Sequence, residues 1–441
     1  MYFKILMLIS FLFYTSINAQ NIDSITRKLE ILTEKELFNG SIAIVKEGKV
    51  IYSRNFGFSN PNQKIPLQKT SYFKIGSITK TYTATIILKL IERKKLSLNT
   101  TLDLFFPEVV NARRITIEMM LRHRSGIHSY TNEERYFQYF SKPTRTEEIL
   151  KEIYSYPSDF EPDERFEYSN SNFFLLGLIA ERITGKSYCE LISNVLPKNL
   201  HKEMICCGGI CIQEIVPSFI KTDSLWEKAS ETYMNVALGA GNLAATAASV
   251  GLFYDRLFCK KDLLKDENIE KMISFRDGVG MGVFKIPFYQ KNGYGHSGGI
   301  DGFTSLAVYF PDDNVTAVLL SNCITDVSLN DVAIGVLSSF YGIPHSFNLP
   351  GSYIPEESIL NAAVGEYRSN DLPLEIKIYR ERNKLYAQAT GQSAFPLNAE
   401  SDNKFTFKQA GIVLEFKELS EGRYRGFILE QGGYRFQYLR K

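Results

Sequence analysis

Ser77 and Lys80 stand three residues apart in Phe73-Lys-Ile-Gly-Ser-Ile-Thr-Lys-Thr-Tyr-Thr-Ala84, where an extended stretch gives way to a helical pattern. A serine hydroxyl is a poor nucleophile at its free pKa and needs a base beside it. Three residues is nearly one helical turn, so the spacing places Lys80 on the face that carries Ser77. The start of a helix also offers free N–H groups that can hold an oxyanion. The chemistry implied is acyl transfer through serine. Spacing alone is not specific, because Ser71 with Lys74 and Ser401 with Lys404 fit the same pattern. Any one of the three, taken alone, reads as an ordinary helix turn.

Two further segments distinguish Ser77. Tyr168-Ser-Asn170 precedes an apolar helical run that stops at Gly185. A tyrosine beside a lysine ammonium has its phenolate favoured and can serve as a general base. Asn170 can hold a substrate amide. Tyr130 with Asn132 and Tyr233 with Asn235 share this spacing, but neither stands before a long apolar helix. The second segment is Tyr294-Gly-His-Ser-Gly-Gly-Ile-Asp-Gly-Phe-Thr-Ser305. A glycine-rich strand lets a substrate backbone add as an extra strand. His296 and Ser297 place side-chain donors there, with Gly298 and Gly299 giving close approach. Read blandly, it is a glycine-rich turn with an incidental histidine.

The elements that must position these residues follow from periodicity. Ile22, Ile25, Leu29 and Leu32 predict an opening amphipathic helix. Residues 41–45 and 50–53 flank a hairpin turn at Lys46-Glu-Gly-Lys49, and 304–310 and 315–320 flank another at Pro311-Asp-Asp-Asn314. Residues 79–93 are helical, with Ala84, Leu88 and Ile91 on one stripe. From Ile115 to about Ser274 the pattern is mostly helices and loops, and residues 331–341 form a closing helix. One domain is expected, over residues 20–342, with a sheet built from both ends and a helical region inserted between. Residues 343–356, rich in Pro, Ser and Gly, read as a linker. Six short strand-like runs then lie within residues 357–441, at 376–379, 384–387, 404–407, 411–416, 424–429 and 434–439. They predict a small all-β barrel or sandwich.

With these segments in this order, the chain resembles the serine β-lactamase and penicillin-binding-protein superfamily, with class C β-lactamases, D-alanyl-D-alanine carboxypeptidases and related esterases nearest in look. The likeness covers roughly residues 22–342 and extends to Met120-Leu-Arg-His-Arg-Ser-Gly-Ile127, Gly239-Ala-Gly-Asn-Leu-Ala-Ala-Thr246 and the Pro311 hairpin with Ser321-Asn322. It implies an α+β fold, a mainly antiparallel sheet flanked by helices. It implies that Ser77 is the acylated nucleophile and that Lys80 bonds to Ser77 and tunes its proton. Tyr168 becomes general base, then acid. Asn170 orients the acyl-side amide, and the N–H groups of Ser77 and Gly299 form the oxyanion hole. Where many β-lactamases carry Lys-Thr-Gly, this chain has His296-Ser-Gly298. A partly charged histidine grips a substrate carboxylate less surely than lysine, which shifts the expectation toward a peptidase or esterase. The expected substrate is a peptide (cell-wall peptide included), an ester or a β-lactam. The competing reading is a penicillin-binding sensor that acylates without turnover.

Composition sets the outer limits. The chain has 441 residues, 44% hydrophobic and 23% charged, which suits two globular domains. A net charge of +2 gives no electrostatic case for nucleic acid. Lys4, the apolar run Ile5–Tyr14 and Ile17-Asn-Ala19 read as a signal peptide over residues 1–19. No cysteine follows it to carry a lipid and no later segment reaches about 18 apolar residues. An exported protein, periplasmic or secreted and without a stable membrane anchor, is expected. Cys189, Cys206, Cys207, Cys211, Cys259 and Cys323 include a cluster near His201, but no second cluster completes a four-ligand zinc set. Buried thiols or a local disulfide are expected, with no cofactor and no metal. The oligomeric state is left open.

Overall fold

The apolar strands at the two ends of the first segment meet in one antiparallel sheet. Its order is Phe284–Phe288, Lys291–Ile300, Phe303–Phe310, Val315–Ser321, Gly40–Lys46, Lys49–Phe56. The strand nearest the N-terminus thus lies beside the last strand of the segment, with Ile44 opposite Ala317. Val315–Ser321 is buried along its whole length, as a central strand covered on both faces must be. The computed structural model describes residues 21–195, 204–206, 215–222, 225–345, 353, 355–369, 374–381, 384–390, 394–407, 411–431 and 434–441. The expected signal peptide lies outside these residues, as does most of the expected linker. No helix among them is long and apolar enough to cross a membrane.

Two helices pack where the sheet and the inserted region meet. The helix Ala247–Tyr254 lies on the sheet, and its Gly251 leaves no room for a side chain against Val45 and Val318. The helix Thr79–Glu92 is buried from Thr79 to Leu88, so it is a core helix with polar residues on several sides. Several of those polar groups are satisfied internally, though Thr79 Oγ1 and the Tyr82 hydroxyl have no partner among the described residues. Thr83 donates to the Gly239 carbonyl at 2.6 Å and shares a hydrogen bond with the Tyr188 hydroxyl. Thr81 donates to the Gly282 carbonyl at 2.8 Å. Tyr82 stacks on Phe253 with centroids 3.7 Å apart. The helix Asn170–Thr184 is likewise buried over most of its length and ends at Gly185 in the left-handed region, φ 66°.

The chain divides into two compact units: Met1–Thr325 with Val336–Ile343, and Asp326–Gly335 with Pro344–Lys441. In the second, eight strands close into a barrel, from Gly365–Ser369 through Tyr434–Arg440. Closure pairs the first strand with the last, Tyr367 opposite Arg440. Alternate residues such as Ile376, Ile378, Leu414, Phe416, Phe427 and Tyr438 fill the interior. Leu360, Ala362 and Ala363 of the helix Glu357–Ala363 join that core. The sequence shows six of the eight strands. Gly365–Ser369 carries one interior residue, Tyr367, and Phe395–Ala399 contains Pro396 and Asn398, so neither has a recognisable alternation.

Candidate active site

Ser77 sits in the short 3-10 turn Gly76–Ile78 that leads directly into the helix Thr79–Glu92. The turn is pressed against the strand Lys291–Ile300. Gly76, at φ +48°, faces the Gly299 backbone, and a β-carbon on it would stand 3.0 Å from the Gly299 nitrogen. A β-carbon on Gly298 would stand 2.3 Å from the Ile75 carbonyl and 2.9 Å from the Ser77 nitrogen. Glycine at these positions is what allows the Ser77 and Gly299 N–H groups to approach each other. The strand register adds a second property. Phe284 pairs with Gly295, the last pairing on that side, so residues 296–300 are hydrogen-bonded only toward Phe303–Phe310. Their outer edge is open beside Ser77.

Two groups converge on the serine oxygen. The Lys80 ammonium donates to Ser77 Oγ at 2.9 Å, and the Tyr168 hydroxyl donates to it at 2.8 Å. Lys80 also donates to Asn170 Oδ1 at 2.8 Å and to the Ala240 carbonyl at 2.7 Å. Three acceptors match the three N–H bonds of an ammonium. Complete burial pulls the other way and lowers the Lys80 pKa well below the usual lysine range. The outcome is a lysine poised to give up a proton. Neither competing serine is so equipped. Ser71 Oγ accepts from the Gln68 N–H, while Lys74 pairs with Asp301. Lys404 pairs with Glu400 in the barrel.

Tyr168 departs from expectation. Burial raises its pKa, and the hydrogen bond to Ser77 only partly opposes this. The expected phenolate is therefore not the resting form; Tyr168 holds its proton. Lys80 lies 5.0 Å from the centre of the tyrosine ring, over its face. Of the competing tyrosines, Tyr130 is buried and donates to the Val236 carbonyl, and Tyr233 begins a 3-10 turn.

His296 is the second correction. It was expected to offer a partly charged donor beside the substrate. Its ring is 3% exposed, packs edge-on to Phe284 at 5.0 Å and bonds through Nδ1 to the Ser297 carbonyl. Burial, with Lys80 nearby, pushes its pKa down to about 3, so it is neutral. Ser297 is exposed, and Gly299 borders the cavity beside Ser77. Lys291, just upstream, is held by Asp313 at 2.7 Å.

Several contributors carried no chemical signal in the sequence. His123 stacks on the Tyr168 ring at 4.3 Å, accepts the Ser169 N–H at Nδ1 (3.1 Å) and the Glu167 N–H at its carbonyl (2.9 Å). It thereby fixes both flanks of Tyr168. Thr131 accepts from Asn170 Nδ2 at 2.8 Å, and Ser129 Oγ accepts the Asn170 N–H at 3.0 Å. Asn170 therefore spends its resting bonds on Lys80 and Thr131, leaving one N–H for a substrate. The Ala240 carbonyl is aimed by the turn in which the Gly239 N–H donates to Asn242 Oδ1 at 3.0 Å.

Cys189 is disulfide-bonded, whereas Cys259 and Cys323 are free thiols. Cys207, Cys211 and His201 lie outside the described residues, and of Cys206 only the backbone is described.

Comparison with known proteins agrees with this geometry. Residues 28–333 match the Beta-lactamase family model. Over 435 residues the chain is 24% identical to penicillin-binding protein 4* of Bacillus subtilis (strain 168), covering 92% of this chain and 95% of that one. Protein flp of Staphylococcus aureus (strain COL) is 34% identical over 192 residues, 42% of this chain and 38% of its own length. Among solved structures, the D-amino acid amidase of Ochrobactrum anthropi SV3 superposes with a TM-score of 0.64 at 20% identity, over 73% of this chain and 98% of that one. The octameric penicillin-binding protein homologue of Pyrococcus abyssi does so at 0.64 and 22%, over 94% and 99%.

Proposed function

Because the chain belongs to the serine β-lactamase and penicillin-binding-protein superfamily, we propose that it is a serine hydrolase that works through an acyl-enzyme on Ser77. The observation that carries this reading is the convergence of Lys80 Nζ and the Tyr168 hydroxyl on one serine oxygen, at 2.9 and 2.8 Å. A binder that never turns over has no use for two proton-handling groups on its serine.

The protonation states suggest an order of events. Lys80, once it has released to solvent the proton that burial disfavours, takes the Ser77 proton while Oγ attacks the substrate carbonyl and forms the new C–O bond. The developing oxyanion is held by the Ser77 and Gly299 N–H groups. Tyr168 gives its proton to the departing nitrogen or oxygen as that bond breaks, and Lys80 restores it. Water then attacks the ester carbonyl and gives a proton to the same pair, and the C–Oγ bond breaks as that proton passes to Ser77 Oγ. The substrate is a peptide, an ester or amide, or a β-lactam. Likenesses to penicillin-binding protein 4* and to a D-amino acid amidase support that range. Export is part of the proposal. It is supported by the N-terminal apolar run and by the bonded Cys189, since disulfides persist mainly in oxidising compartments.

The test is intact-mass analysis over time with a fluorescent penicillin and with amide and ester substrates, run beside Ser77→Ala. An adduct on the native protein that clears, and no adduct on the variant, supports the reading. An adduct that never clears with any substrate supports the sensor reading instead. Equal labelling of both proteins moves the nucleophile elsewhere.

A further inference from the structure

A cavity of about 490 Å³ opens beside Ser77 on the side of Asn170 and Thr131. Its far wall is apolar, built from Tyr136, Phe137, Phe140, Ile220 and Ala237. Phe137 and Ile220 are 67% and 40% exposed, and exposed apolar groups clustered at a nucleophile mark a surface kept free for a ligand. Asp301 also borders this cavity, but its carboxylate is already used. Lys74 donates to one oxygen at 2.7 Å, and the Thr232 N–H and hydroxyl donate to the other at 2.8 and 2.6 Å. The cavity therefore does not call for a cationic substrate group.

Tyr168 and His296 are not part of this cavity wall. The leaving group must lie toward its proton donor, Tyr168, so the acyl portion falls into the apolar cavity. The Tyr168 side is aromatic: Phe284 lies 6.4 Å from the Tyr168 ring and 6.1 Å from Phe166. Its histidine is buried and neutral. Of the basic groups nearby, Lys80 has three acceptors, Arg124 is bound to Asp163 and Asp277, Arg276 to Asp163, and the Lys285 ammonium lies over the Phe275 ring at 5.4 Å.

Resting on the acyl-enzyme reading, we propose that this enzyme prefers amides and esters with an aromatic or bulky aliphatic acyl group and a leaving group that carries no carboxylate. Free C-terminal peptides and β-lactams, whose carboxylate would lie against the Tyr168 wall without a cation, are poor substrates. In the preferred reaction Ser77 takes the acyl group, the leaving amine or alcohol departs with the Tyr168 proton, which Lys80 replaces with the proton it took from Ser77, and water releases the acid.

The test compares kcat/KM for phenylalanine anilide, the corresponding amide of 4-aminobenzoate, and alanine anilide, each as both enantiomers. The anilide should exceed the aminobenzoate by about tenfold or more, because an unpaired carboxylate is costly against an apolar wall. The phenylalanine anilide should exceed the alanine anilide by a similar factor, through filling of the apolar cavity. Phe137→Ala, at an exposed position, should reduce that second ratio severalfold. Equal or better turnover of the aminobenzoate, or a second ratio near one, overturns the proposal. Intact-mass analysis separates the two levels. Acylation of Ser77 with the wrong preferences sinks only the specificity, whereas no acylation by any of the substrates sinks the acyl-enzyme reading too.

Discussion

At the scale of single residues, the site depends on protons held where burial wants them. Tyr168 keeps its proton and Lys80 tends to lose one. If Tyr168 delivers that proton to the leaving group, Tyr168→Phe should lower kcat by about 10²- to 10⁴-fold with little change in fold. The loss should be smaller for an ester with an acidic phenol leaving group, which needs no proton. Steady-state kinetics with a matched anilide and nitrophenyl ester measures this, and equal losses on both would remove Tyr168 from the acid role. His296 gives a stability prediction with a definite sign. Its pKa is near 3 in the folded protein and about 6.5 in the unfolded chain. The unfolded state therefore binds the extra proton first, and stability falls as pH drops from about 6.5 toward 3, by at most about 1.4 kcal/mol per pH unit from this group. His296→Phe should flatten that part of the profile, read by denaturant unfolding at several pH values. An unchanged slope would mean that His296 is solvated in the native state.

At the scale of elements, the chemistry rests on how tightly a turn and a strand meet. Gly298 has no room for a β-carbon between the Ile75 carbonyl and Ser305 Oγ, at 2.3 and 2.4 Å. Gly298→Val should push the strand Lys291–Ile300 away from the Gly76–Ile78 turn. A displacement near 1 Å costs about a hundredfold in rate, so acylation of Ser77 should slow by that order while circular dichroism stays native. Acylation at the normal rate would show that this contact does not set the oxyanion hole. The same contacts explain what the sequence could and could not disclose. Ser77 with Lys80, and Tyr168 with Asn170, were legible because one helical turn or the start of one helix fixes their relation locally. The hairpins were legible from apolar runs flanking turn residues. His123, Thr131 and the Ala240 carbonyl were not, because their roles come from contacts across the fold, and a carbonyl belongs to every residue. The neutral states of Tyr168 and His296 were misread for a related reason: a neighbouring charge can be inferred from a motif, but desolvation depends on everything packed around it.

At the scale of the whole molecule, the two largest hydrophobic cores among the described residues each belong to one stretch of chain. One is centred on the helix Thr79–Glu92 and the sheet, the other fills the barrel. The barrel is secured at its seam by Arg440. Its guanidinium donates to the carbonyls of Val364, Ala362 and Tyr424 at 2.6, 2.6 and 2.7 Å, and to the Tyr367 hydroxyl at 2.7 Å. The bonds to Ala362 and Val364 tie the last strand to the segment that enters the first, and the others reach Tyr367 in the first strand and Tyr424 in the strand before the last. Arg440→Met keeps much of the side-chain volume but leaves those carbonyls without a donor. A loss of about 2–4 kcal/mol in barrel stability is expected. If the two cores fold independently, calorimetry should show one transition lowered and the other in place. The rate of Ser77 acylation at 25 °C should stay within about twofold of the native protein, since Lys80, Tyr168, Asn170 and Ala240 around Ser77 all belong to the first unit. A single transition that falls as a whole, with acylation slowed alongside it, would mean that the barrel is part of what holds the Ser77 turn in shape, and its role would then have to be sought in catalysis rather than beside it.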